Sequence, residues 1–180
     1  MKREQIIQQG KEGETAFQKW LDAQELGYLR IDQDRETMSA VFKNSVKRPD
    51  YFLLLPSLGF IAIDVKNSTL KNDLFTLKIN YEIERTITFE HHTRIYLWYA
   101  FKDRKCINND RWYFISAHKA CEVGVKKYNS RDRVYYFEIA LKHFELINKA
   151  EDLGKLYSSR IGIFGRFSRA VEHTLRSIKL

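Results

Sequence analysis

The chain contains few cysteines, prolines and glycines. Its two cysteines, Cys106 and Cys121, are too few for a disulfide framework or a structural zinc site, and we expect both to be reduced and buried. With 2 prolines and 8 glycines in 180 residues, long flexible linkers are not expected. The length is sufficient for a hydrophobic core, and we expect residues 1–180 to form one domain.

Long apolar runs are lacking as well. The longest one, at 51–63, is too short to span a membrane and is interrupted by Pro56 and Gly59. The first nine residues contain no apolar segment of the kind found in signal peptides, and the sequence contains no internal repeat. These features predict a cytoplasmic protein that does not bind membranes.

Basic residues are in excess. The 31 Lys and Arg against 23 Asp and Glu give a formal charge of +8 and an isoelectric point near 9.4. Because phosphates dominate the affinity of proteins for nucleic acids, this charge favours a nucleic-acid partner. The same charge also promotes solubility, so it does not identify a partner by itself.

The most informative segment is an apolar hairpin with charged residues at its ends. The segments 50–55 and 60–66 are predicted strands, and the Pro56-Ser-Leu-Gly59 sequence between them is typical of a turn. If the hairpin folds about Ser57, residue n pairs with residue 114 − n, so that Asp50 faces Asp64. A register shifted by half a step would place Asp50 on the other face.

The two aspartates of this register form a candidate metal site. Directly opposed side chains have Cβ atoms about 4.5–5.5 Å apart, and two carboxylates at that distance repel each other unless a cation lies between them. Lys66 lies on the same face as Asp64, because side chains alternate along a strand. Two acids and one lysine at the edge of a sheet suit a divalent metal ion and a phosphate.

A helix is predicted before the hairpin. Phe17, Trp20 and Leu21 recur at helical spacing within 10–26, and Gly27 is a plausible C-cap. Glu14 then lies in the first turn, where the helix dipole favours an acid. The alternative interpretation is that Glu14, or its neighbour Glu12, points into the acidic cluster.

The remaining chain has strand, helix and amphipathic patterns. Aromatic and β-branched runs predict strands at 28–32, 95–101, 112–116 and 134–138, with a strand or loop at 37–42 and a helix over 78–90. His91 and His92 are adjacent, so they are not expected to bind one metal ion together and are interpreted as structural or surface residues. Apolar residues at helical spacing predict a basic amphipathic helix over 160–180, which would pack on the core, contact a second subunit or bind phosphate.

Three short motifs together resemble the PD-(D/E)xK nuclease superfamily. They are Gly10-x-x-Gly13-Glu14, Pro49-Asp50 and Asp64-Val65-Lys66, which follow one another in the order of that family. The opening motif is most similar to the Mrr, NERD and Holliday-junction-resolvase branches. The resemblance covers about the first hundred residues. It implies an α/β fold with a restriction-endonuclease-like mixed central β-sheet flanked by helices.

The resemblance also implies an activity and a set of roles. The chain would be a metal-dependent endonuclease that hydrolyses DNA. Asp50, Asp64, the Val65 carbonyl and Glu14 would bind Mg²⁺ or Mn²⁺, and Lys66 would assist the attacking water. Two alternatives stay open, a non-catalytic DNA-binding module or nuclease-fold subunit and a small RNase. The sequence does not decide between a homodimer and a larger complex.

Basic residues in three segments are the predicted nucleic-acid contacts. They are Lys47, Arg48, Lys126, Lys127, Arg166 and Arg169. Tyr128, Tyr135 and Tyr136 alternate with basic residues, a pattern that can stack bases. The pattern is equally typical of an exposed β-hairpin, which is the interpretation we prefer here.

Overall fold

The structure is a computed structural model, and it describes residues 3–32, 45–56, 59–107 and 110–161. The β-strands of the described residues are β1 Tyr28–Arg30, β2 Tyr51–Leu55, β3 Gly59–Ser68, β4 Leu74–Lys78, β5 Leu97–Asp103, β6 Trp112–Ser116, β7 Val125–Asn129, β8 Val134–Ala140 and β9 Glu145–Ile147. The α-helices are α1 Arg3–Ala23, α2 Glu84–Thr93, α3 Ala117–Val123 and α4 Gly154–Ile161. A single π-helical turn, Ile79–Ile83, leads into α2.

The strands form a mixed sheet and a smaller antiparallel sheet. The mixed sheet has six strands in the order β1-β2-β3-β5-β6-β9, in which β3 and β5 are parallel and the other pairs are antiparallel. The second sheet has the order β4-β8-β7. The prediction of an α/β protein with a mixed sheet and flanking helices is confirmed at this level.

The register predicted for the hairpin is confirmed. Tyr51 pairs with Ile63 and Leu55 pairs with Gly59, so the paired residue numbers sum to 114 along the whole ladder. The Asp50 amide donates to the Ile63 carbonyl at 2.8 Å, a bond that departs from this sum, so the ladder ends at Tyr51 and Ile63. Asp50 and Asp64 directly follow that last pair at the open end of the hairpin, and a direct pairing between them stays a prediction.

Each face of the mixed sheet carries its own hydrophobic cluster. On one face α1 contributes Phe17, Trp20 and Leu21, which pack with Trp98 and Ala100 of the central strand β5. On the other face, the second sheet, α2 and α3 pack against Leu97, Tyr99 and Phe101 of the same strand. Alternate side chains of β5 enter opposite clusters, as the pleat requires. The sheet is buried on both sides at its centre.

The predicted first helix is longer than its apolar pattern indicated. It begins at Arg3, so Glu14 lies well inside the helix and not in its first turn. The C-cap prediction at Gly27 is also wrong. The helix ends at Ala23, Glu25 has the left-handed φ of 52°, and the Leu26 amide donates to the Leu21 carbonyl at 3.1 Å. This is the hydrogen bond of a Schellman-type helix end.

Several other predictions can be compared with the described residues. Strands were predicted near β1, β5, β6 and β8, and the helix predicted over 78–90 corresponds to the π-turn and α2. The short elements β4, β7, β9, α3 and α4 were not predicted. His91 and His92 are exposed as expected, but Cys106 is exposed and Cys121 only half-buried, contrary to the prediction that both are buried. The segment 37–42 and nearly all of the helix predicted over 160–180 lie outside the described residues.

None of the helices in these described ranges is long and apolar enough to cross a membrane.

Candidate active site

Asp64 is a buried carboxylate in the middle of the mixed sheet. It lies on β3 beside Tyr99 of β5, and only 2% of the residue is exposed. Ile61 and Ile63 belong to the cluster beneath α1, whereas Ala62 belongs to the cluster beneath α2. By alternation Asp64 and Lys66 point to the α2 side of the sheet. A buried carboxylate requires charged or hydrogen-bonding partners on that side.

Asp64 is part of a network of four charged side chains. Its Oδ1 lies 2.8 Å from Lys47 Nζ, and its Oδ2 contacts Lys66 Nζ. Both ammonium groups also lie 2.8 Å from Oε2 of Glu82 in the π-turn. Each lysine thus bridges the same two acids. The four formal charges sum to zero, which makes the burial of the cluster energetically tolerable.

Asp50 extends this cluster from the neighbouring strand. Its Oδ2 accepts a hydrogen bond of 2.7 Å from the Val65 amide, which fixes the carboxylate against β3. Desolvation and the charge of Asp64 raise the pKa of Asp50 to about 7, against the opposing effects of the Val65 hydrogen bond and the two lysines. The raised pKa reflects first the burial of the Asp50 carboxyl group and second its proximity to the Asp64 carboxylate.

Glu82 and Lys47 are held in their ionised forms. Desolvation alone would favour neutral Glu82, but Lys66 and Lys47 outweigh it and lower the pKa of Glu82 to about 2. Desolvation likewise disfavours the charged form of Lys47, but Asp64 and Glu82 outweigh it and hold the Lys47 pKa above its usual range. Of these three groups, Asp50 is the one with a pKa close to neutral pH.

Glu14 lies on α1, which covers the opposite face of the sheet. Its carboxylate pairs with Arg30 at 3.4 Å, and its backbone carbonyl accepts a hydrogen bond from the Tyr51 hydroxyl at 3.0 Å. Among the described residues, no three His, Cys, Asp or Glu side chains are grouped as a metal site, so Glu14 is not brought into one group with the two aspartates. The role of Glu14 as a metal ligand stays a prediction.

The two aspartates have features that suit a divalent cation. Asp64 Oδ2 is buried and has no hydrogen-bond partner in the part of the chain that the structure describes, although it is in ionic contact with Lys66. Asp50 lies nearby, and its burial and the charge of Asp64 raise its pKa to about 7 although two lysines oppose the shift. A hard cation favours carboxylate oxygens and would relieve the repulsion between them. The donor set thus fits Mg²⁺ or Mn²⁺, with the Val65 carbonyl as a further candidate ligand.

The predicted nucleic-acid contacts lie in different surroundings. Lys47 is only 17% exposed at its side chain and belongs to the ion-pair network, and Arg48 is half-buried. Lys126 and Lys127 are exposed on β7. Arg166 and Arg169 lie outside the described residues. Contact of any of these residues with nucleic acid stays a prediction.

Sequence reasoning did not identify Glu82. The segment containing it was predicted to be helical, but no local pattern distinguishes this acid from its neighbour Glu84. Glu82 reaches the cluster because the chain leaves β4, turns through a π-helical turn and packs that turn against β8. That placement depends on tertiary contacts between distant segments, so periodicity could not have predicted it.

A large cleft lies elsewhere, along the outer side of α1. Its volume is about 660 Å³, and its lining includes Glu12, Thr15 and Lys19 of the helix and Asp110. Glu12, the alternative to Glu14 in the sequence analysis, therefore faces this cleft. None of the residues predicted to bind metal lines it.

The site near Asp64 is thus built by three segments that the fold brings together. The hairpin contributes both aspartates and Lys66, the segment before it contributes Lys47, and the π-turn contributes Glu82. The chain matches none of the protein-family models, curated proteins or solved structures with which it was compared.

Proposed function

We propose that the chain is a metal-dependent endonuclease that hydrolyses phosphodiester bonds of DNA, on a restriction-endonuclease-like fold. The observation that carries this proposal is that the Val65 amide holds the Asp50 carboxylate close enough to Asp64 for the two charges to interact, with Lys66 in contact with Asp64. The order of the elements supports it too, since α1 precedes the hairpin and the hairpin precedes a strand parallel to β3.

The residues of the site would have separate roles in binding the cation. Asp50, Asp64 and the Val65 carbonyl would hold the cation, with Glu14 acting directly or through water. The cation, when bound, would supply Lewis acidity and a more acidic water. Asp50 would release its proton as it became a ligand, because its pKa is raised to about 7 in the cluster.

Lys66 would act on the phosphate and the attacking water. Its ammonium group is held between Asp64 and Glu82, which restricts its position. A fixed positive charge stabilises the charge that develops on phosphate oxygens in the transition state, and it does so most strongly where water is excluded. Lys47 and Glu82 would be positioning residues, since they contact Asp64 and Lys66.

A non-catalytic DNA-binding module is the second candidate. It is favoured by the ion-pair network itself, because two ammonium groups already neutralise Asp64 and Glu82. A cluster that is neutral without a cation could serve only to stabilise the fold. The net charge of +8 would then account for attraction to DNA without any chemistry.

Cleavage assays distinguish the two functions. Supercoiled plasmid, a labelled four-way junction and a structured RNA would be incubated with the protein and Mg²⁺ or Mn²⁺, with EDTA and the Asp64→Ala variant as controls. Cleavage that requires both the metal and Asp64 supports the nuclease, and the preferred substrate defines its class. Retention of DNA in a gel shift without cleavage supports the binding module.

A further inference from the structure

The β7–β8 hairpin carries two neighbouring tyrosine rings on one face. Tyr128 is directly opposite Tyr135 in the ladder, and their ring centroids lie 4.9 Å apart. The rings are 53% and 45% exposed, respectively. Two adjacent tyrosines exposed to this extent leave a large aromatic surface in contact with water.

The face of β8 that carries Tyr135 is the same face that packs into the hydrophobic core further along the strand. Tyr135 and Phe137 are two residues apart on β8 and so share a face. Phe137 is buried in the cluster beneath α2 and α3, and β4 reaches no further along β8 than Tyr136. The rings therefore stand immediately beyond the end of the hydrophobic core, where the hairpin projects past the strand that supports it.

The turn of the hairpin is closed by hydrogen bonds, and the hairpin is basic. Asn129 Oδ1 accepts hydrogen bonds from the Arg131 and Asp132 amides at 3.0 and 3.2 Å, and Arg133 has the left-handed φ of 52°. Between Val125 and Tyr136 the basic residues Lys126, Lys127, Arg131 and Arg133 are accompanied by one acid, Asp132. An aromatic surface held by this turn and accompanied by basic residues is pre-organised to bind a polyanion with planar bases.

Lys126 joins the aromatic surface to the charge. It shares the face of Tyr128, and its Nζ lies 4.6 Å from the centroid of Tyr135. When a base stacks on a tyrosine ring, a positive charge close to the ring can pair with the phosphate of the same nucleotide. The tyrosines and this lysine form what we call the Tyr128 platform, consisting of Lys126, Tyr128 and Tyr135.

The Tyr128 platform is connected to the candidate active site through the π-turn. Strand β8 packs against the turn Ile79–Ile83, which supplies Glu82 to the ion-pair network. At the end of this turn, desolvation raises the pKa of Glu84, and the nearby charge of Lys126 opposes that shift. Lys126 therefore lies within electrostatic range of a residue two positions from Glu82.

We propose that the Tyr128 platform binds unpaired nucleotides of a nucleic-acid strand by stacking their bases on Tyr128 and Tyr135. The inference rests on the proposed function, because it specifies the form of the substrate. That substrate would be a strand with unpaired bases, which the platform would direct toward Asp64. Duplex DNA presents stacked and covered base faces and offers little to these rings, whereas every unpaired base has a free π-face. The structure favours this occupant over a protein partner because the hairpin contains four basic residues and one of them, Lys126, lies over the Tyr135 ring.

Binding measured without catalysis tests the platform. The full chain, in EDTA and at one fixed salt concentration, would be titrated into a labelled oligothymidylate, an oligouridylate and a DNA duplex, with fluorescence anisotropy as the readout. The test variant is Tyr128→Ala/Tyr135→Ala, and Tyr128→Phe/Tyr135→Phe keeps the rings. Tyr157→Ala removes a comparably exposed tyrosine on α4, which is a matched control.

The expected result is selective for unpaired strands. The double alanine variant should bind the single strands about 5- to 30-fold more weakly, by the usual effect of removing stacked aromatic rings, with duplex affinity unchanged. The phenylalanine variant and Tyr157→Ala should bind like the wild type. Should the double alanine variant not fold, Tyr128→Leu and Tyr135→Leu made singly would test the same loss. Comparison of the two single strands shows whether DNA or RNA is preferred.

Two outcomes would overturn the inference. Unchanged single-strand affinity in the folded double alanine variant would mean that the rings do not stack bases and would redirect attention to a protein partner. Equal weakening for duplex and single strands would mean a general loss of charge or fold. If cleavage fails while ring-dependent binding is observed, only the nuclease proposal is lost, and the reverse result removes only the platform.

Discussion

The raised pKa of Asp50 predicts that the proposed cation binding depends on pH. Desolvation and the neighbouring Asp64 raise its pKa to about 7, and a metal ligand must be ionised. We therefore expect Mg²⁺ affinity to increase with pH up to about 7 and then to level off, with about one proton released per ion at lower pH. Calorimetric titration in buffers of different ionisation enthalpy measures both quantities. An affinity that does not change across this range would contradict the assignment of Asp50 as a ligand.

The same residue is expected to lower the stability of the protein without metal. An unfolded aspartate ionises near pH 3.9, whereas the folded Asp50 keeps its proton to about pH 7, so the folded state binds more protons between these values. The free energy of unfolding should then decrease as the pH rises through this window. The Asp50→Asn variant removes this dependence and, in EDTA above pH 7, should be more stable than the wild type by at least about 1 kcal/mol.

Urea unfolding in EDTA at two pH values measures this difference. Near pH 4 the two proteins should unfold at similar urea concentrations, because Asp50 is then neutral in the folded state. The effect of Glu82 has the opposite sign: its pKa is lowered to about 2, so its stabilising contribution is present above its ordinary pKa and is lost only in acid. An Asp50→Asn variant that is less stable than the wild type above pH 7 would show that the carboxylate is stabilising.

The π-turn places Glu82 in contact with Lys66 and so restricts the position of the Lys66 ammonium group. Because Glu82 lies 2.8 Å from both Lys47 and Lys66, Glu82→Gln leaves two ammonium groups opposite Asp64 alone. We expect a loss of stability of about 2 kcal/mol, because an ion-pair network is left unbalanced and its members are only partly exposed. We also expect about 10- to 100-fold slower cleavage, as for other residues that orient a metal site. Single-turnover cleavage and urea unfolding of Glu82→Gln and the matched Glu84→Gln separate the two effects.

The packing of α1 on β3 depends on the absence of a side chain at Gly13. A Cβ atom built there would lie 2.7 Å from the Cβ of Asn67, whereas one at Gly10 would meet nothing within 4 Å. We expect Gly13→Ala to destabilise the protein by about 1 to 2 kcal/mol, because overpacking outweighs the better helix propensity of alanine. Gly10→Ala should stabilise it by up to about 1 kcal/mol. Equal urea midpoints for the two variants would contradict this account of the Gly10-x-x-Gly13 motif.

The elements that the sequence predicted correctly are those specified by local signals. The hairpin register follows from a turn of Pro and Gly between two apolar strands, so the pairing of β2 with β3, and hence the proximity of Asp50 to β3, could be predicted from the sequence alone. The start of α1 was missed because Arg3–Gln9 is mostly polar, and its two apolar residues, Ile6 and Ile7, are adjacent and form no helical spacing. Gly27 suggested a helix end, but Glu25 adopts the left-handed conformation before it.

At the scale of the molecule, the composition of the active site depends on which face each element covers. Glu14 was predicted to join the aspartates because its motif precedes theirs in the sequence. Helix α1 covers one face of the mixed sheet, whereas Asp64 points to the other face, which α2 covers. The acid that shares a network with Asp64 is therefore Glu82. The sequence contains no local signal for that choice, because it is made by the long-range packing of the π-turn and β8.

The central claim is that Asp50 and Asp64 hold a cation that the hydrolysis of DNA requires. Its most direct test is the rate of plasmid cleavage in Mg²⁺ by the wild type, by the isosteric Asp64→Asn variant and by Glu151→Gln, an exposed acid far from the cluster in sequence. We expect cleavage by the wild type and Glu151→Gln, none in EDTA, and a loss of at least about a thousandfold in Asp64→Asn. Cleavage by folded Asp64→Asn at the wild-type rate would contradict the account.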